Sequence, residues 1–289
     1  DVMSGGKNVS CFTCISSGDQ HGIVARDSID LQLLSVEVHD PLSGPGLDID
    51  NSGLPRDGEI LIDDMRIDLN SSGYAIELKD VNAMIGGLDL SGNNGGVYWS
   101  AGDDYTSSLS SSTISGIGGT CFDLVDHTEL LVHNLGLACS TGSRPSIESS
   151  FVNLTDSGFI SGSAHETTFH LEASSHVRWI SSGSISEPSF GESDSILDIM
   201  WFIEAHAVNQ LSRHIPLAEV NISFESWESE ESTSLPYRGF ETLGPFVGAR
   251  WIPSQGWSQD NIAYVGCDYD GIHNDTAAVT LDADLVVYC

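Results

Sequence analysis

A recurring segment constrains this chain more than any other feature. Ala75-Ile76-Glu77-Leu78-Lys79-Asp80-Val81 returns in kind as Cys121-Phe122-Asp123-Leu124-Val125-Asp126-His127, and again as Thr168-Phe169-His170-Leu171-Glu172-Ala173. Each copy alternates two apolar positions with polar ones, and a second short apolar run follows: Met84-Ile85, Leu130-Leu131-Val132 and Val177-Arg178-Trp179-Ile180. With Ile76, Phe122 and Phe169 equivalent, the copies lie 46 and 47 residues apart, and weaker matches fall near the midpoints, at Val97-Tyr98 and around Ile147. The repeating unit is therefore roughly 23 residues, the length of one coil of a right-handed parallel β-helix. One such unit cannot bury its apolar side alone, so coils must stack into a continuous core.

Elsewhere, short runs of Val, Ile, Leu and aromatic residues are broken by Ser, Gly, Asn and Asp every few positions, which is strand punctuation. The best helical patterns, 29–38 and 196–208, are short and read equally well as strands. The expected fold is all-β in three parts. Residues 1–60, with Leu42-Ser43-Gly44-Pro45-Gly46, form an attachment or capping region, 61–190 the β-helix of about six coils, and 191–289 an antiparallel, jelly-roll-like β-sandwich. The last part follows from longer alternating strands separated by turns at Leu235-Pro236, Gly244-Pro245 and Asp270-Gly271.

Charge narrows the function. Against 42 acidic residues stand 10 basic ones, for a net charge of −32, and the only lysines are Lys7 and Lys79. Such a chain repels nucleic acid and anionic membranes. The acid is spread beside every apolar segment rather than gathered in a tail, which points to adaptation to high salt. At about 1 M salt the screening length falls to about 3 Å and self-repulsion becomes tolerable. No stretch nears the roughly 20 apolar residues that cross a bilayer. The start shows no basic-then-apolar signal pattern, and Asp1 in place of an initiator Met suggests that something was removed.

The six cysteines, Cys11, Cys14, Cys121, Cys139, Cys267 and Cys289, together with N-x-[ST] acceptors at Asn8, Asn70, Asn153, Asn221 and Asn274, fit an oxidising exterior. Cys121 with Cys139 and Cys267 with Cys289 are plausible bridges, although six cysteines allow 15 pairings. Cys11-Phe12-Thr13-Cys14 has redox or zinc spacing but no second pair, and reads as a structural disulfide or half of an unusual metal site.

Two oxygen-rich segments are candidates for Ca or Mg ions. Asp48-Ile49-Asp50-Asn51-Ser52-Gly53 followed by Glu59 matches a twelve-residue calcium loop, with Asp48, Asp50, Ser52 and Glu59 as donors, although Pro55 and the lack of flanking helices depart from it. The second is Asp268-Tyr269-Asp270-Gly271, where Asp268 and Asp270 are the donors and an Asp-Gly hairpin turn is the competing reading. His165-Glu166-Thr167-Thr168-Phe169-His170 has its second histidine one residue too late for a zinc-protease helix. Neither a nucleophile elbow, a phosphate loop nor a dinucleotide fingerprint is present, and carboxylate pairs such as Asp63-Asp64 or Asp103-Asp104 do not stand out among so many acids. Trp227, Tyr237, Trp251 and Trp257 concentrate late in the chain and are the candidate platform for a glycan or protein partner, core packing being the competing role.

Phrases such as Val152-Asn153-Leu154-Thr155-Asp156-Ser157-Gly158-Phe159-Ile160-Ser161-Gly162 and Ser110-Ser111-Ser112-Thr113-Ile114-Ser115-Gly116 give residues 60 to 187 a texture that resembles the β-helix shafts of tailed-virus appendages: tailspikes, tail fibres and capsid spikes or turrets. The resemblance implies a structural, non-enzymatic virion protein on the particle surface of a virus of a halophilic host. Its implied partners are other virion proteins and a host-surface glycan or glycoprotein, and its implied state is a homotrimer. Secreted pectate-lyase-like enzymes share the texture, so a polysaccharide lyase or hydrolase stays open, as does a cell-surface adhesin module.

Overall fold

The structure is a computed structural model. It describes residues 10–12, 15–17, 22–27, 31–39, 44–52, 60–68, 74–90, 95–101, 106–116, 121–140, 142–160, 168–191, 194–225, 231–253, 255–258, 261–275 and 278–289. The described residues are strands, turns and bends, without a helix. They fall into two compact units, Asp1–Val177 with Ser182–Ile196, and Arg178–Ser181 with Leu197–Cys289.

The first unit is a parallel β-solenoid. Eight short strands, Ile23–Arg26, Leu47–Asp50, Ile76–Lys79, Val97–Ser100, Phe122–Val125, Ser146–Glu148, His170–Glu172 and Ser189–Phe190, pair in sequence order as one parallel sheet. Alternating with them in the chain, Gln32–His39, Ile60–Asp68, Ala83–Leu90, Ser107–Gly116, Leu130–Cys139 and Phe151–Thr155 build a second parallel sheet. Side chains alternate across each strand, so every coil sends one apolar set inward. In the short-stranded sheet an inward row runs Ile49, Leu78, Trp99, Leu124, Ile147 and Leu171 through in-register partners, all fully buried. In the other sheet the matching row is Leu33, Ile62, Ile85, Leu109, Val132 and Leu154. Ile76, Leu78, Phe122, Leu124, Phe169 and Leu171, the apolar positions of the three clearest repeats, are all buried.

The polar punctuation forms the corners. Asp27, Asp80, Asp126, Ser149 and Ser174 follow the short strands with φ between 47° and 62°, and Ser35, Asp64, Gly87, Ser111, Asn134 and Asp156 bend the long strands with φ between 48° and 61°. Asp, Asn and Gly enter this left-handed region at least cost, which explains why they recur coil after coil. At a corner the backbone N–H turns away from the carbonyl ladder, and a buried serine one coil on accepts it: His127 N to Ser150 Oγ (3.0 Å), Leu135 N to Ser157 Oγ (3.2 Å) and Ser157 N to Ser182 Oγ (3.0 Å). The entries that carry Gly22, Gly46 and Gly96 are tight as well. A Cβ on Gly96 would sit 1.5 Å from the Cys121 carbonyl oxygen, so only glycine fits there.

The coils begin before residue 60. Ile23–Arg26 and Leu47–Asp50 are already in register with Ile76–Lys79, inside the segment expected to cap or attach.

In the second unit, Ile196–His206 pairs antiparallel with Phe240–Ile252, which turns into Gly256–Ser258. A separate antiparallel sheet orders Glu231–Ser234, Glu219–Phe224, Ile262–Tyr269 and Ile272–Asp275. Ile203, Ala205 and Phe246 from the first group and Val220, Ile222, Ala263 and Val265 from the second share one buried cluster. One pairing departs from the all-antiparallel expectation: Leu285–Tyr288 runs parallel to Ile203–His206. Asp198, 1% exposed, is held by Arg250, whose Nη2 lies 2.7 Å from Oδ2.

Candidate functional site

The outward positions of the short-stranded sheet form two rows. One runs Asp48, Glu77, Tyr98, Asp123, Ser146, His170 and Ser189, and the other Asp50, Lys79, Ser100, Val125, Glu148 and Glu172. Strands sit about 4.8 Å apart, so a row presents a side chain at that interval, a spacing suited to an extended polymer.

The first end of this face is occupied by ion pairs. Arg26 places Nη1 2.9 Å from Asp48 Oδ1, and its Nη2 reaches Oδ2; Lys79 Nζ lies 2.9 Å from Glu77 Oε2. Hydrogen bonding to Asp48 raises the Arg26 pKa, and Glu77 does the same for Lys79. Asp50 accepts from both N (3.1 Å) and Oγ (2.7 Å) of Ser52, which holds its carboxyl below the usual range. The calcium-loop expectation falls on this end of the face. Leu47–Asp50 is a strand of a parallel sheet, not the start of a loop, Asp48 is buried at 4% exposure, and a cation would have to displace Arg26. Glu59, Gly53 and Pro55 lie outside the described residues.

The middle of the face is aromatic and polar. Tyr74 donates to Asp123 Oδ2 at 2.7 Å and its ring meets Tyr98 at 5.5 Å. Partial burial raises the Asp123 pKa despite hydrogen bonds from Tyr74 and the Ser146 backbone. His170 contacts Ser189 Oγ through Nδ1 at 2.8 Å and Glu172 Oε1 through Nε2 at 2.5 Å. His170 lies on a strand with Phe169 buried before it, and His165 is outside the described residues. The alternation that places these groups was visible in the sequence, but their shared row became apparent only from strand register.

Behind this face lies His127, 1% exposed and edge-on to Trp99 at 4.9 Å. Its Nε2 faces the Trp99 carbonyl at 3.1 Å and its Nδ1 has no hydrogen-bond partner. Burial drives its pKa down to about 4, so the ring is neutral at pH 7.

Asp268 does not join Asp270. Its carboxylate accepts from Asn221 Nδ2 at 2.8 Å and meets His273 Nδ1 at 2.7 Å, while Asp270 occupies the exposed hairpin turn with φ 50°. Among the described residues no group of three or more His, Cys, Asp or Glu side chains is placed to hold a metal ion. Of the four aromatic platform residues, Tyr237 and Trp251 have described side chains. Tyr237 is 83% exposed, Trp251 is half-buried and faces residue 257 across the Phe240–Ile252 and Gly256–Ser258 pair, and Trp227 and the side chain of Trp257 lie outside the described residues. Cys121 is bonded to Cys139 and Cys267 to Cys289; Cys14 and the side chain of Cys11 are not described. Of the described acceptors, Asn153 and Asn221 spend their amides on Glu129 and Asp268, and Asn274 is exposed.

Comparison with family models, curated proteins and solved structures found no match to this chain.

Proposed function

We propose that this chain is a non-enzymatic structural protein of a virus particle, a capsid spike, turret or tail fibre that decorates the surface and contacts a host glycan or glycoprotein. The observation that carries this reading is the in-register stack of eight parallel strands. Its coils are joined by backbone ladders and buried serine hydroxyls, which makes a stiff element that projects from a support and repeats side chains along its length. In this reading the solenoid is right-handed, the second unit is a jelly-roll-like sandwich, and the net charge of −32 adapts the exposed surface to a hypersaline medium. Appendages of this texture associate three-fold, so the protein is a homotrimer; this rests on analogy of architecture. Light scattering in about 2 M salt should return three times the chain mass, and a monomer mass would remove the trimer. Sedimentation of culture medium, probed with an antibody to this chain, tests the main reading: the chain should band with particles, and its recovery only as free protein or with the cell envelope would overturn it.

A second reading, a secreted glycan-cleaving enzyme, is favoured by one observation. Asp123, its pKa raised by burial, shares the outer face with exposed Glu148, one strand across and two positions along, or about 8 Å between Cα atoms. Two carboxyl groups on one open face are the side chains that glycoside hydrolysis uses. New reducing ends from host-envelope glycans, lost in Asp123→Asn, would support it; no turnover would leave the structural reading.

A further inference from the structure

The second unit contains a cleft of about 400 Å³, within the range of small-ligand sites. Ala207, Ala218 and the Cys267–Cys289 disulfide, all nearly fully buried, line its depth. Tyr269 and Ile272, directly opposed at the end of their hairpin and 46% and 72% exposed, stand at its mouth. Asn209, Gln210, His273 and Asn274 belong to the same lining.

The walls are held independently of any ligand. Val208 N donates to Cys289 O at 2.8 Å and Ile215 N to Ala207 O at 2.8 Å. Asn209 Oδ1 accepts from the backbone N–H groups of Leu211 and Arg213 at 2.9 and 3.1 Å, which directs its amide N–H groups elsewhere. The chemistry of the lining is unusual for this chain. Although the chain has 42 acidic residues, no aspartate or glutamate is among the described residues that line the cleft. Asp268, between the lining residues Cys267 and Tyr269, projects to the other side of its strand and is engaged by Asn221 and His273.

We propose that this cleft binds one uncharged sugar unit of a surface glycan, with the C–H face of the ring on Tyr269 and Ile272 and its hydroxyls on the amides of Asn209, Gln210 and Asn274. Tyrosine and isoleucine supply an apolar contact that sugar C–H groups fit, and planar amides both donate to and accept from hydroxyls. A uronic acid meets no lysine or arginine among the lining residues, where the imidazole of His273 is already engaged by Asp268, and is repelled by the surrounding charge; an amine meets no carboxylate among them. A preformed neutral site in a strongly acidic protein therefore selects by lack of charge. The identity of the ligand deepens the attachment reading above and rests on it only for the biological source of the glycan.

The test uses the full chain, produced in a host that does not glycosylate because Asn274 heads an acceptor sequence, in about 2 M salt. Glucose, galactose, N-acetylglucosamine and glucuronate are titrated by ligand-observed NMR. At least one neutral sugar should saturate at a dissociation constant on the order of 1 mM, with glucuronate at least tenfold weaker. Ile272→Glu, at an exposed hairpin position, and Gln210→Ala should each weaken neutral-sugar binding about tenfold with unchanged melting temperature. Absence of saturation by every neutral sugar, equal binding of glucuronate, or indifference to both substitutions overturns the proposal. Binding of labelled protein to host cells separates it from attachment. Cell binding abolished by Ile272→Glu supports both, cell binding left intact by it overturns the cleft as the contact, and sugar binding without any cell binding overturns attachment while the cleft stands.

Discussion

Replacing His127 with glutamine should remove a specific pH dependence from the stability of the solenoid. His127 is 1% exposed, and because the Trp99 carbonyl accepts from Nε2, the bare Nδ1 is the atom that must take a second proton. Among the described residues nothing accepts from an N–H at that position. Burial lowers the folded-state pKa from 6.5 to about 4. Below pH 6.5 the unfolded chain therefore binds a proton that the folded chain does not, and stability falls as pH drops from 6.5 to about 4, then levels once both states are protonated. A shift of this size corresponds to about 3 kcal/mol in total, with a limiting slope of about 1.4 kcal/mol per pH unit. The carboxylates, whose repulsion also changes over this range, are common to the wild type and His127→Gln, so the informative quantity is the difference between them. Urea unfolding of both proteins from pH 7.5 to 4, in about 2 M NaCl, measures it. His127→Gln should be less stable at pH 7.5, through loss of the ring's packing on Trp99, and should close much of that gap by pH 4. A stability difference that stays constant across the series would refute the buried neutral imidazole.

Further expectations follow from the packing. Gly96→Ala should cost at least about 3 kcal/mol, because its Cβ would lie 1.5 Å from a backbone carbonyl in the next coil; thermal unfolding checks this, with Gly158→Ala, where nothing lies within 4 Å and φ is not positive, as the control for glycine loss alone. Arg250→Ala leaves the buried Asp198 carboxylate without its main partner and should destabilise the second unit by about 3 to 5 kcal/mol, read by denaturant titration of tryptophan fluorescence. The melting temperature of the wild type should rise continuously from dilute buffer to several molar NaCl, since 10 basic residues do not neutralise 42 acids by pairing and exposed pairs contribute only about 0.2 to 1 kcal/mol each; a melting temperature indifferent to salt contradicts the high-salt reading of the surface.

The solenoid was legible because its core obeys one rule at fixed spacing. Ile76, Phe122 and Phe169 and their partners two residues on are inward on every coil that carries them, so the alternation repeats. The earliest coils were missed for a related reason. In Leu47-Asp48-Ile49-Asp50 the period-2 alternation of a strand places carboxylates at alternate positions, which is also how a calcium loop spaces its first donors, and nothing local separates the two. Register with Ile76–Lys79 separates them. Corners were visible as a class of residue but not as columns, since the hydroxyl that serves Leu135 belongs to Ser157, one coil later. In the second unit the strands were legible and their order was not. The parallel return of Leu285–Tyr288 beside Ile203–His206 joins residues some 80 positions apart, and no local pattern encodes such a pairing. The cleft was invisible for the same reason, being assembled from three separate stretches of chain, one of which carries Asp268 and Asp270 outside the lining.

The most direct measurement of the central claim is a density map of intact particles purified from the source culture at high salt. The structural reading predicts projecting density at the particle surface into which the parallel coils fit, with strands about 4.8 Å apart and three copies around an axis. A well-resolved map with every surface projection assigned to other chains, and no density that accepts these coils, would contradict it.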